Sequence, residues 1–109
     1  MPENGIILRG SNYTLRCSNN NTGIVAWYFR RPGYEQLRNL YNGYFFTGNF
    51  NTSYDIDKRK QGQYDLVIKS TRLDHAGMYK CQESGTLDFA SAELVVLGKR
   101  HYILYKCVI

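Results

Sequence analysis

Apolar side chains in this chain recur at every second position over short runs, and nowhere at the spacing of a helix. In residues 12–18, Tyr13, Leu15 and Cys17 share one phase while Thr14, Arg16 and Ser18 share the other. That is the mark of a strand with one face in a core and one in water. Residues 24–30 repeat it, with Val25, Trp27 and Phe29 set against Ala26, Tyr28 and Arg30, and Arg31-Pro32-Gly33 ends the run with a turn. Further runs lie at 36–41, 44–48, 63–70, 77–83 and 91–98. Asn42-Gly43, between the first two of these, is a two-residue hairpin signal, because both residues tolerate positive φ. Ten tyrosines and five phenylalanines tilt the residue choice further towards strands. At 109 residues the chain has room for one core. Closely spaced strands without helices fold as an antiparallel sandwich or barrel.

A few positions narrow that choice. Cys17 lies on an early strand, Trp27 on the next, and Tyr79-x-Cys81 near the end, with both cysteines on inward phases. Around them stand Gly10 with "YTLRC", "WYFRRPG", "YDLVIKSTRLD" and "AGMYKCQ". Together these resemble the variable-type (V-set) domain of the immunoglobulin superfamily over about residues 5 to 98, "WYFRRPG" matching the family's W-Y-x-x-x-P-G. The resemblance implies an all-β, immunoglobulin-like antiparallel β-sandwich of V type, with sheets GFCC′C″ and ABED. The domain would span residues 1–98, leaving 99–109 as a tail. It also implies one inter-sheet disulfide, Cys17 to Cys81, with Trp27 packed beside it; closing a loop of that size contributes roughly 4 kcal/mol by chain-entropy reasoning. Tyr79 becomes the tyrosine corner, its ring in the core and its hydroxyl on the backbone. The long stretch between Trp27 and Tyr64 supplies the C′ and C″ strands.

Three departures from the family pattern matter. The family usually places Asp six residues before the second Cys, paired with Arg at the start of strand D. Here His75 holds the first position, Asp74 precedes it, and residues 49–54 carry no basic side chain. The ion pair is absent as a unit, and His75 reads as a solvated loop residue. Second, "FASAELVVLG" is similar to the joining-segment strand of antigen receptors, but Ala90 and Ala92 replace its glycines and one residue is missing. Without those glycines the bulge that shapes receptor pairing is not expected, so an antibody-style heterodimer is not the default. Third, the tail "KRHYILYKCVI" is aromatic, apolar and carries Cys107. It either extends strand G, leads to a stalk with an intermolecular disulfide through Cys107, or is a by-product of processing at Gly98-Lys99-Arg100.

The cysteines have neither CxxC nor Cys/His ligand spacing, so one disulfide plus one remaining thiol accounts for them without a metal. Asn12-Tyr13-Thr14, Asn20-Asn21-Thr22 and Asn51-Thr52-Ser53 are N-glycosylation acceptor patterns. With the disulfide they favour an extracellular chain, either secreted or the ectodomain of a membrane protein. No apolar run spans a bilayer, so any anchor lies outside this sequence, and no signal peptide opens it. A net charge of +5 fits solubility before it fits a polyanion.

Catalysis needs a nucleophile or metal with a positioned base. Neither His75 nor His101 has a partner visible in the sequence, and no cofactor motif appears, so the expectation is a non-enzymatic domain without cofactors. Lys58-Arg59-Lys60 reads as a solvated turn, which leaves no case for nucleic acid. Strand phase gives a better surface. If Trp27 and Phe29 point inward, Tyr28 and Arg30 point outward; Tyr79 and Cys81 likewise leave Lys80 and Gln82 outside, and Leu94 and Val96 leave Val95. Strand C′ adds Arg38 or Leu37 and Tyr41, with Tyr44 and Phe89 at the border. Leu40 and one of Phe45 or Phe46 are expected inside. None of the sequons falls on strands C, C′, F or G. The expected function is recognition or adhesion of immune-receptor type through this GFCC′C″ face, with a protein partner that is a second copy (a homodimer) or a related V-type domain. The alternative is an innate immune domain binding glycans or microbial surfaces through loops 18–24 and 84–89.

Overall fold

The computed structural model describes residues 5–8, 10–19, 23–58, 62–86 and 89–97, the first four by backbone alone. Among the described residues eight strands form two sheets: β1 (Gly5–Leu8), β2 (Tyr13–Leu15), β3 (Val25–Arg30), β4 (Arg38–Tyr41), β5 (Tyr54–Asp57), β6 (Asp65–Ile68), β7 (Gly77–Glu83) and β8 (Phe89–Leu97). One sheet has the order β1-β8-β7-β3-β4 and the other β2-β6-β5. In immunoglobulin lettering these are A′GFCC′ and BED. The all-β sandwich is as expected, and two details differ. β1 pairs parallel with β8 rather than with the BED sheet. The stretch expected as C″ makes a single bridge, Tyr41 to Phe46, and then a 3₁₀ turn at Phe50–Thr52.

Alternation drives the layering. Val25, Trp27 and Phe29 from β3, Tyr79 and Cys81 from β7, and Ala92 and Leu94 from β8 meet Leu15, Leu66 and Ile68 of the other sheet in one core. Trp27 is fully buried, and its Nε1–H donates to the Tyr64 carbonyl at 2.7 Å, so its one polar atom is satisfied. Cys17 and Cys81 are bonded across the sheets with Cα atoms 6.6 Å apart, beside Trp27 in the same cluster. β8 pairs with β7 in unbroken register from Phe89 to Leu94, as expected where alanines replace bulge glycines.

The register does break between β3 and β4. Trp27 faces Tyr41 but Tyr28 faces Asn39, so Leu40 is an extra residue, a β-bulge. Its loosened carbonyls accept from local donors. Asn39 Nδ2 donates to Trp27 O (3.3 Å) and Tyr41 O (3.1 Å), while Thr47 donates to Asn39 O through its hydroxyl and to Leu40 O through its amide. The bulge breaks alternation, so Leu40 and Tyr41 are both buried.

The end of the sandwich between β6 and β7 holds a second surprise. His75, in the 3₁₀ turn Leu73–His75, is buried rather than solvated. It lies edge-on to Tyr54, centroids 5.2 Å apart. The Tyr79 hydroxyl donates to His75 O at 2.6 Å, the expected tyrosine corner, and lies 3.0 Å from the Tyr54 hydroxyl. Desolvation pushes the Tyr54 phenol up to about 12 and Tyr79 well above its ordinary value. Burial pushes the His75 imidazole down. Asp74 keeps a charge pair at this end, bonded to Arg72 at 3.0 Å on the surface, and that bond lowers its pKa.

A cation–aromatic sheet face as the candidate binding site

Three strands carry the outward face. On β3, Tyr28 and Arg30 alternate with the buried Trp27 and Phe29; on β7, Lys80 and Gln82 alternate with Tyr79 and Cys81. On β8, Phe89, Ser91, Glu93 and Val95 take the outer phase. Register then decides which of them meet. Tyr28 lies opposite Lys80, Lys80 opposite Ser91, and Gln82 opposite Phe89, so Phe89 is diagonal to Lys80. The Lys80 ammonium accordingly sits 4.5 Å from the Phe89 ring centroid and 6.0 Å from that of Tyr28. One cation on β7 thus bridges two rings on the strands either side of it, β3 and β8, each contact worth about 0.5–1 kcal/mol at an exposed site. Arg30 lies over Met78, its Nη2 3.7 Å from the sulfur. Among the described residues no carboxylate is ion-paired with Arg30 or Lys80. Phe89 stays 58% exposed, so the row ends in an apolar surface open to water.

Other expected face residues lie elsewhere. Tyr41 is 4% exposed and belongs to the core, because the bulge at Leu40 turns it inward against Phe46, ring centroids 5.0 Å apart. Its hydroxyl accepts from Lys58 Nζ at 3.2 Å, near the BED sheet. Arg38 is exposed but pairs opposite the inward Phe29, and its guanidinium lies 5.6 Å over Phe50. It covers the open edge between the sheets instead of joining the outer face. Gln82 is turned towards the β7–β8 hairpin, donating to Thr86 O at 2.8 Å. Val95 is half-buried, with Ile6 of β1 as its register partner.

Tyr44 is 63% exposed, as expected, and Phe45 beside it is 73% exposed. Of Phe45 and Phe46, therefore, Phe46 is the inward one. The hairpin has slipped by one residue to place them so. Asn42 N–H bonds to Phe45 O, making Gly43 and Tyr44 the central pair, while Asn42 Oδ1 accepts the amides of Tyr44 and Phe45. Gly43 has φ +103°, and a Cβ there would strike Ile24, so no other residue fits. The sequence left the choice between Phe45 and Phe46 open because the slip depends on this side-chain cap.

Asn12 and Asn51 are exposed next to β2 and β5, off the outer face of the larger sheet, and Asn12 Oδ1 accepts the Ser70 amide at 2.9 Å. Asn20 and Cys107 lie outside the described residues, as does the tail.

The model of the immunoglobulin V-set domain matches residues 6–97. The chain belongs to the immunoglobulin V-set family. V-set domains are generally non-enzymatic recognition modules that bind protein partners, and those with the inter-sheet disulfide are typically extracellular. Among solved structures, a chain from "Structural basis of T cell specificity and activation by the bacterial superantigen toxic shock syndrome toxin-1" is similar to this V-set domain with a TM-score of 0.68 and 19% identity, over 89% of this chain and 94% of that one. In all, 1879 solved chains match, so the likeness marks a much-used fold and carries no ligand with it. A search of curated protein sequences returns no match.

Proposed function

We propose that this V-set domain is a cell-surface or secreted recognition module of immune-receptor type, binding a protein partner through the outer face of β3, β7 and β8. The partner is a second copy of the chain or a related V-type domain. The observation that carries the reading is the Phe89–Lys80–Tyr28 row, aromatic surface held in place by a shared cation across adjacent strands. Tyrosine and arginine concentrate at interface centres, and a rigid platform loses little side-chain freedom on binding. Both described sequons leave this face free of glycan. Sedimentation velocity over a wide concentration range tests self-pairing. A dimer is expected that weakens at least tenfold in Tyr28→Ala and Lys80→Ala and persists in Cys107→Ser. A monomer at every concentration rejects the homodimer. Partner capture that survives Tyr28→Ala and Arg30→Ala rejects the face itself, and polysaccharide binding that survives them favours the loops instead.

A further inference from the structure

The turn between β6 and β7 is held by an imidazole. His75 is 2% exposed, and its Nδ1 accepts the Arg72 backbone N–H at 2.8 Å. A ring nitrogen that accepts carries no proton, so the neutral imidazole keeps its hydrogen on Nε2. That Nε2 is buried and has no hydrogen-bond partner among the described residues. The same residue offers its carbonyl to the Tyr79 hydroxyl, which reaches Tyr54 in turn. One histidine therefore fastens the turn through its side chain and the tyrosine corner through its backbone.

Its described neighbours are an ion pair, two phenol rings and apolar side chains. On its own turn stand Arg72 and Asp74, the carboxylate already bonded to the guanidinium. β5 contributes the Tyr54 ring and β7 the Tyr79 phenol. β8 also packs near the turn, with apolar Ala92 and Leu94 on the inner phase and Glu93 on the outer one. Arg31, just after β3, acts on the Tyr54 hydroxyl and adds positive charge to this end.

We propose that His75 is an acid-sensitive latch on the fold: a proton added at Nδ1 sets a second N–H against the Arg72 N–H, breaks the cap and loosens the β6–β7 end of the sandwich, including the start of β7. Burial and then the Arg72 charge oppose protonation of the folded chain, outweighing the pull of Asp74. The unfolded chain binds its proton near the ordinary value of about 6.5. The stability owed to neutral His75 is therefore whole above about pH 6.5, drains as pH falls below it, and levels off once the lower folded-state value is passed.

The test compares wild type with His75→Asn, whose Oδ1 can take the Arg72 N–H and cannot be protonated. From about pH 7.5 to about pH 5.5 the wild-type Tm is expected to fall by roughly 5 °C or more, and the variant by less than about half as much. Equal falls in the two proteins overturn the latch. Imidazole ¹⁵N spectra of the wild type decide independently, and decide alone if the variant does not fold, with His101→Gln assigning the two rings. The Nε2–H tautomer should persist below about pH 6, and the Arg72 and Tyr79 amides should shift as it is lost. Free titration of His75 near about 6.5, with those amides unmoved, rejects the proposal.

Discussion

Two aromatic clusters, one at the β6–β7 end and one on the outer sheet face, use the same residue types to opposite ends. At the closed end Tyr54, Tyr79 and His75 are buried, each within reach of another's polar atom or ring edge. On the outer face Tyr28 and Phe89 flank Lys80, Tyr28 half-buried and Phe89 open to water. Burial converts the first set into a fastening whose hydrogen bonds are costly to lose. Exposure leaves the second with weak contacts that order the surface and add little to stability. Tyr41 and Tyr44 repeat the contrast on a smaller scale, three positions apart, one in the core and one at the turn.

Substitutions can break this contrast, beginning with the largest effect. Tyr41→Ala should cost about 3–5 kcal/mol in chemical denaturation, since it empties a core site, while Tyr44→Ala should stay within about 0.5 kcal/mol. Similar losses for the pair would mean that the bulge at Leu40 does not turn Tyr41 inward. Tyr79→Phe keeps the ring and removes its hydroxyl, leaving His75 O and the Tyr54 hydroxyl short of a partner; a loss of about 1–3 kcal/mol is expected. The Tyr54 phenol, raised to about 12, gives an alkaline signature. Because the folded chain holds that proton more tightly, the associated stability is whole below about pH 10 and is lost as pH rises through the folded value. Unfolding curves of Tyr54→Phe at increasing pH should lack that part of the slope; an unchanged slope would place Tyr54 in water. Smallest of all, Lys80→Ala should alter unfolding by less than about 1 kcal/mol while weakening partner binding or self-association. A large stability loss there would make the row a structural element.

Much of the fold was legible because alternation is a local property. Trp27, Phe29, Tyr79 and Cys81 point inward in the structure, and Tyr28, Arg30 and Lys80 point outward, as their spacing required. The Cys17, Trp27 and Tyr79-x-Cys81 spacing identified the family over the span its model matches. The errors gather where a side chain replaces a backbone partner. Asn39 and Thr47 stabilise a bulge that sends Tyr41 inward and leaves Arg38 on the rim, and Asn42 caps a turn displaced by one residue. Neither cap differs in sequence from an ordinary polar loop residue.

By itself, then, the sequence determined the sandwich and the phase of its central strands, since each depends on residue type and a period of two, while the disulfide and the tryptophan beside it followed from the resemblance to the family. The tertiary structure alone decided that β1 joins β8, that Tyr41 is core and Phe45 surface, and that His75 is buried against Tyr54. Those outcomes depend on which strand lies opposite and on how many residues intervene. A single inserted position reverses the facing of every later residue in its strand. His75 shows the same rule at a turn: only the strands packed around it made a loop histidine an interior one.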